Sequence, residues 1–268
     1  MSDSILSIKN LSKKYGSVEA VRNINLDVIR GEVVGILGLN GAGKTTTLKM
    51  CAGVLSPNSG QIMVDGYDLI FHPTDAKLQL GYVPDDPFLY ENLTGREFVR
   101  FIAGLYTRLP DNIETRIEEF FYLFDMEYEI DGLIKSYSRG MRQKTALISA
   151  FIHNPNVLLC DEPTSNLDPH SSKVVKEIFN GYKKRGKGVF MSTNVVESAE
   201  SFCDRVAIMH EGRLLAFGTP KNLQRVSRKA RNLEEAFIEL TGVETYKDKS
   251  KNIKDLLSKL SGREADRG

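Results

Sequence analysis

The stretch Gly38-Leu39-Asn40-Gly41-Ala42-Gly43-Lys44-Thr45 decides the fold of this chain. It completes the apolar run that begins at Val33, and it leads into a helical pattern that opens at Gly43 and continues to about Cys51. A strand, a loop of the form G-x-x-x-x-G-K-[ST] and a helix, in this order, are typical of a phosphate-binding loop. The sequence therefore predicts an α/β protein with a phosphate site at this loop.

Each residue type in the loop has a chemical reason. Glycines let the backbone curl so that successive N–H groups face one anion, and the N-terminus of the following helix adds positive potential. Lys44 supplies a cation for the β- and γ-phosphates, and the Thr45 hydroxyl is placed to hold Mg²⁺. We expect the segment from Gly38 to Thr46 to bind ATP with magnesium. A dinucleotide-binding loop, G-x-G-x-x-G, would need a glycine at Thr46.

Two carboxylates follow a second apolar run. Val157 to Cys160 is predicted to be a buried strand, so Asp161 lies at its carboxyl end, where parallel sheets place their ligands. Asp161 is expected to hold the magnesium, directly or through a water. Glu162 is expected to polarise the attacking water.

Strand and helix patterns alternate before and after these motifs, which predicts a mainly parallel sheet flanked by helices. The first strands, Ile5 to Lys9 and Val21 to Val28, precede this core. From about residue 88 to residue 153 the period is helical, which indicates a helical insertion.

Composition restricts the class of protein. The chain has 268 residues, with 36 Lys and Arg against 35 Asp and Glu, so a basic footprint for nucleic acid is absent. The longest apolar stretches fall far short of the roughly 20 residues that cross a bilayer. Three scattered cysteines fit a reducing compartment, and the four histidines lack metal-ligand spacing. If the protein works at a membrane, it must dock onto another chain.

The segment Ser136-Tyr137-Ser138-Arg139-Gly140-Met141-Arg142-Gln143 lies between the two phosphate motifs. It resembles a variant of the L-S-G-G-Q signature of the ATPase subunits of ABC transporters, with Ser138 and Gly140 at the two key positions. The chain resembles this family from about Ile5 to Leu240. The resemblance implies a P-loop NTPase core, an N-terminal antiparallel β-subdomain and an inserted α-helical subdomain at about residues 88–153. It implies an ATPase domain over residues 1–240. For the C-terminal tail, residues 241–268, two alternatives stay open: an added helix and a partly disordered segment.

The resemblance also implies further site residues. Ser138 and Gly140 would contact the ATP that a second protomer holds. Tyr15 resembles the aromatic residue that stacks on adenine. Ser165-Asn166-Leu167-Asp168 resembles the D-loop at the dimer seam, with Asn166 where glycine is usual.

Two positions depart from the family pattern. Asp85 stands where the family has the Q-loop glutamine, and a carboxylate ligates magnesium at least as well as an amide oxygen. Asn194 stands where the family has a histidine that hydrogen-bonds the γ-phosphate; asparagine keeps an amide donor but has a shorter reach and no titratable proton. We therefore expect ATP binding, with hydrolysis at a reduced rate.

The resemblance implies an ATP-hydrolysing subunit that dimerises over two Mg-ATP and powers a separate integral-membrane permease. The variant signature looks most like the branch that exports drugs, lipids or polysaccharides. Such a subunit lies on the cytoplasmic face of the cell membrane, as a homodimer or a heterodimer. Two alternatives stay open: a regulatory or structural subunit with weak or no hydrolysis, which Asp85 and Asn194 would explain, and a soluble relative in DNA repair or translation.

Overall fold

A computed structural model describes residues 4–106, 111–226 and 230–242. The chain divides into two compact units, residues 1–219 and residues 220–268. The described strands of the first unit are, in chain order, β1 (Ser4–Tyr15), β2 (Val18–Ile29), β3 (Val33–Leu37), β4 (Ser59–Val64), β5 (Tyr67–Asp68), β6 (Leu80–Val83), β7 (Val157–Asp161), β8 (Gly188–Thr193), β9 (Arg205–His210) and β10 (Arg213–Gly218). Its described helices are α1 (Lys44–Cys51), α2 (Pro73–Leu78), α3 (Gly95–Gly104), α4 (Ile113–Leu123), α5 (Arg139–Phe151), α6 (Pro169–Lys184) and α7 (Val196–Phe202). The second unit contains α8 (Pro220–Val226) and α9 (Leu233–Thr241), which contact each other.

The sheet that carries the phosphate loop has six strands in the order β10-β9-β3-β8-β7-β6. β3 pairs in parallel with β9 and β8, and the parallel pairing continues through β7 to β6. Every residue of β3 and β7 is buried, as expected of parallel strands that are covered on both faces. The predicted mainly parallel sheet is confirmed, and the carboxyl ends of β3, β8 and β7 lie side by side at one edge.

The edge strand β10 was not predicted. It pairs antiparallel with β9 across a turn at Glu211 and Gly212, which have φ values of 44° and 80°. Most of its side chains are half-buried, so it lacks the continuous apolar run that identifies the central strands. The sheet is therefore mixed at this edge.

The predicted antiparallel β-subdomain is a second sheet, with strand order β2-β1-β4-β5. β1 is longer than the predicted Ile5 to Lys9 because register shifts carry it past Asn10, which has a φ of 50°. β1 also pairs with β4. At Gly60 a Cβ atom would lie 2.6 Å from the Asn10 carbonyl oxygen, so only glycine lets the two strands approach this closely.

The predicted helical insertion contains α3, α4 and α5. The Thr94 side chain caps α3 and forms a reciprocal capping box with Glu97, and Ser138 caps α5. The insertion buries the aromatic side chains Phe98, Phe121 and Phe151. Among the described residues no helix is both long and apolar enough to cross a membrane.

The predicted domain boundary at residue 240 stays a prediction. The predicted tail, residues 241–268, lies outside the described residues beyond Gly242.

Candidate active site

The phosphate loop occupies the connection between β3 and α1, as predicted. Its backbone requires glycine at two positions, since Gly41 and Gly43 have φ values of 84° and 109°. A Cβ atom at Gly43 would overlap the Ala20 carbonyl oxygen, and one at Gly38 would lie 2.5 Å from the Met209 carbonyl oxygen. The loop is therefore held tightly against β9 and against the segment at Ala20.

Lys44 is buried at the start of α1 and bridges two parts of the site. Its Nζ atom donates hydrogen bonds to the carbonyl oxygens of Gly38, at 2.8 Å, and of Leu39, at 3.4 Å. The same Nζ lies 3.6 Å from Glu162 Oε1. The ammonium group thus connects the phosphate loop with the end of β7, and its charge is available to an anion in the loop.

Asp161 ends β7 and is fully buried. Its Oδ1 accepts a hydrogen bond from the Ser192 hydroxyl of β8, the residue directly beside it in the parallel register. Its Oδ2 is buried and has no hydrogen-bond partner among the described residues. A buried carboxylate oxygen without a partner is costly, and Mg²⁺ prefers hard oxygen donors of this kind. Asp161 and the Thr45 hydroxyl therefore fit a magnesium ion that keeps its other coordination positions for water and phosphate.

Glu162 follows Asp161 in a left-handed backbone conformation, with a φ of 49°. Its N–H donates to the Ser192 carbonyl oxygen at 3.3 Å, which fixes this turn at the edge of the sheet. Burial raises the pKa of the Glu162 carboxyl, and the nearby charge of Lys44 opposes that shift. Strained residues cluster at functional sites, and a carboxylate with a raised pKa suits proton transfer near neutral pH.

Asp85 and Asn194 line the same cavity, which has a volume of about 430 Å³. Burial raises the pKa of Asp85, and the negative charges of Asp161 and Asp86 raise it further. Asn194 follows β8, and its Nδ2 donates to Asn40 Oδ1 at 3.4 Å. Both substituted positions therefore lie at the mouth of the phosphate loop.

The cavity contains most of the predicted nucleotide contacts. Seven of the nine predicted loop residues line it, together with Asp85, Glu162 and Asn194: Leu39, Asn40, Gly41, Gly43, Lys44, Thr45 and Thr46. Gly38 and Ala42 do not line it. Asp161 lies outside the lining, next to Glu162.

Three further predicted contacts, Ser138, Gly140 and Tyr15, do not line this cavity. Ser138 caps α5 by accepting a hydrogen bond from the Met141 N–H at 3.2 Å, and Gly140 follows it. A Cβ atom at Gly140 would lie 2.9 Å from the Asn166 carbonyl oxygen, so the signature segment touches the D-loop segment. Tyr15 ends β1, is half exposed and has the Lys13 ammonium 5.4 Å from its ring centroid.

Two residues of the site, Ala20 and Ser192, were not predicted from the sequence, and Ser165 was predicted only as part of the D-loop segment. Ala20 and Ser165 line the cavity, and Ser192 holds Asp161. The parallel register of β7 and β8 would have identified Ser192, because it ends an apolar strand beside Asp161. Ala20 comes from the other sheet, and nothing local in the sequence indicates it.

When the chain is compared with known proteins, its residues 21–165 match a family model described as "ABC transporter". The chain is 36% identical over 221 residues to the ABC transporter ATP-binding protein NatA of Bacillus subtilis, which covers 82% of this chain and 90% of that protein. It is 31% identical to the Nod factor export ATP-binding protein I of Cupriavidus metallidurans, over 99% of this chain and 84% of that protein. A solved structure, the ATP binding subunit of an ABC transporter, superposes with a TM-score of 0.83 at 34% identity and covers 88% of this chain and 99% of its own.

Proposed function

This chain belongs to the ABC transporter family of ATP-binding subunits, and on that premise we propose that it pairs with a second ATPase subunit over two Mg-ATP and powers export through a separate permease. As a member of this family it is an ATP-binding subunit of a transporter and an ATP hydrolase. The single observation that supports the proposed mechanism is the pair formed by Lys44 and Glu162 in the cavity of the phosphate loop.

Residues at the ends of four strands, β3, β6, β7 and β8, divide the work on ATP. The loop N–H groups and Lys44 bind the β- and γ-phosphates, so that negative charge which develops there meets fixed positive groups. Glu162 orients a water and accepts its proton, and Asn194 donates to the γ-phosphate. Thr45, Asp161 and Asp85 would hold magnesium, which supplies charge neutralisation when it is bound.

A second protomer explains why the signature segment lies outside the cavity. Ser138 and Gly140 are at the N-terminus of α5, where backbone N–H groups and the helix dipole favour an anion. Since they do not line the cavity of their own chain, we propose that they complete the site of a partner. The partner is either a second copy of this chain or a different ATPase subunit.

An apolar groove supports the proposed permease contact. It has a volume of about 490 Å³ and lies where β6 and the following segment meet α3 and α5. Phe88 lines it and is 89% exposed, which is unusual for a large aromatic side chain. Tyr82 and His153 also line it, and each has a buried polar atom without a hydrogen-bond partner among the described residues. The groove thus offers an apolar surface to another chain.

Export and location rest on relatives. One relative is named for Nod factor export, and another ATP-binding relative, 33% identical, is named for bacitracin transport. We therefore propose that the chain acts in export and lies on the cytoplasmic face of the membrane, held there by its permease.

Co-purification from membranes tests this function and its docking surface. The wild-type chain, expressed in its native host with an affinity tag, should retain an integral-membrane protein after detergent extraction. Phe88→Ala should lose most of that partner while it binds labelled ATP as the wild type does. Tyr128→Ala is the matched control, because Tyr128 is a 91% exposed aromatic side chain of the insertion that does not line the groove. Recovery of no membrane protein, or equal loss in both variants, would contradict the proposed permease contact.

A further inference from the structure

A second cavity, of about 530 Å³, lies away from the phosphate loop. It is bounded by α4, the end of α5 and α6, and it shares no lining residue with the nucleotide cavity. Its wall is aromatic: the ring centroid of Phe151 lies 6.2 Å from that of Phe120 and 6.5 Å from that of Tyr182. A concave, mostly apolar cavity of this size can enclose a small organic molecule.

The polar groups around this cavity are mainly cationic. Arg116, Lys173 and Arg185 line it, against the single carboxylate of Glu177. Within the described ranges, none of these three cations forms an ion pair or a side-chain hydrogen bond. Unpaired cations at the mouth of an apolar cavity favour an anionic ligand, because the low-dielectric wall strengthens their attraction.

The charge of the two arginines reaches the aromatic wall. Lys187 Nζ lies 5.2 Å from the ring centroid of Tyr182. Burial and, to a smaller extent, the positive charges of Arg185 and Arg116 together lower the pKa of Lys187 to about 8. A cation at this wall is thus disfavoured by its neighbours, and an anion at the same place would be favoured.

We propose that this cavity binds a small amphipathic organic anion, with its apolar body against the rings of Phe120, Phe151 and Tyr182. Its carboxylate or sulfonate group would pair with Arg116 and Arg185. The bound molecule would join α4 of the helical insertion to α6 of the core. The proposal needs no property of the nucleotide site.

Gly181 provides a clean way to fill the cavity. It lines the cavity from α6, and a Cβ atom there would meet nothing within 4 Å. Gly181→Phe should therefore place a ring in the cavity, and its thermal stability should not fall, because glycine is unfavourable inside a helix. Binding of labelled ATP should also be unchanged, so that a failure of this proposal is distinguishable from a failure of the nucleotide site.

The test is a fluorescence titration of the full chain with 1-anilinonaphthalene-8-sulfonate, an aromatic anion. We expect the dissociation constant to rise at least tenfold in Gly181→Phe and in the double variant Arg116→Gln/Arg185→Gln. Arg213→Gln, which removes an exposed cation outside the cavity, should bind as the wild type does. Decanoate should displace the probe, and uncharged 1-decanol should do so at least tenfold more weakly.

Two outcomes would overturn the proposal. Unchanged affinity in Gly181→Phe would mean that the probe binds elsewhere, for instance in the groove at Phe88. Loss in Gly181→Phe with full affinity in the arginine double variant would mean that the cavity does not select anions.

Discussion

Replacing Asp161 with asparagine should make the chain more stable without ligand and less stable with Mg-nucleotide. The Asp161 carboxylate is fully buried, and only Oδ1 has a partner, the Ser192 hydroxyl, in the described part of the chain. Leaving a buried polar group unsatisfied costs about 1–3 kcal/mol, and more for a charged one. Asparagine keeps the shape and removes the charge, although its amide also needs a partner, so we expect a net gain of about 1 kcal/mol.

The effect of the ligand should have the opposite sign. A ligand at 100 times its dissociation constant stabilises the native state by about 2.7 kcal/mol. In the wild type this gain should depend on magnesium, because the free Oδ2 is the atom that we assign to the metal. In Asp161→Asn the gain from Mg-ADP should fall to what ADP gives in EDTA.

Thermal unfolding in four conditions measures both effects: no ligand, Mg²⁺ alone, ADP with EDTA, and Mg-ADP. A gain of 1 kcal/mol corresponds to about 2–4 °C for a domain of this size. Ser192→Ala is the control, since it removes the partner of Oδ1 and should lower stability in every condition. The reasoning is refuted if Asp161→Asn unfolds at a lower temperature without ligand and still shows the full magnesium-dependent gain.

Three further predictions concern other parts of the molecule. Asn194→His should raise the steady-state rate of ATP hydrolysis about tenfold. This is less than the factor of about 10²–10³ in rate that one complete transition-state contact contributes, because asparagine already offers an amide donor. An equal or lower rate would contradict the role assigned to Asn194. Gly140→Ala should lower the free energy of unfolding by about 1–3 kcal/mol, measured by denaturant titration, because the new Cβ would lie 2.9 Å from the Asn166 carbonyl oxygen. Gly104→Ala is the control: a Cβ at Gly104 would have no neighbour within 4 Å, so this variant should not lower the free energy of unfolding. Burial lowers the pKa of His153 from 6.5 to about 4, so the folded chain favours the neutral ring and should lose about 1–3 kcal/mol as the pH falls from 6.5 to 4. His153→Gln should lose less free energy of unfolding than the wild type between pH 6.5 and pH 4. An equally steep loss in this variant would mean that other groups cause the pH dependence.

The candidate nucleotide site could be located from the sequence because its residues come from short local patterns, and the role of each residue stays a prediction. The loop from Gly38 to Thr46 and the pair Asp161 and Glu162 each follow an apolar strand, and parallel strands bring such ends to one edge of a sheet. The positions of Asp85 and Asn194 followed from the family resemblance, and the structure brings both to the same cavity.

Features that depend on long-range packing could not be predicted in the same way. β10 is half-buried and lies at an edge, so its apolar pattern is weak. The support of Asp161 by Ser192 requires the register of two strands whose paired residues are 31 positions apart. The close approach of Gly140 to Asn166 joins the first turn of α5 to the loop that follows β7, and no local sequence pattern links these two segments. In each case the information lies in the packing of distant segments.

The steady-state release of phosphate from Mg-ATP, measured on the complex purified from membranes, tests the central claim most directly. Wild type, Glu162→Gln and Glu200→Gln are compared; Glu200 is an exposed carboxylate of α7 outside the cavity. We predict that Glu162→Gln binds ATP but hydrolyses it about 10²–10⁴-fold more slowly, while Glu200→Gln matches the wild type. A wild-type rate no higher than that of Glu162→Gln, with the permease present, would contradict the claim that this chain is the motor of a transporter.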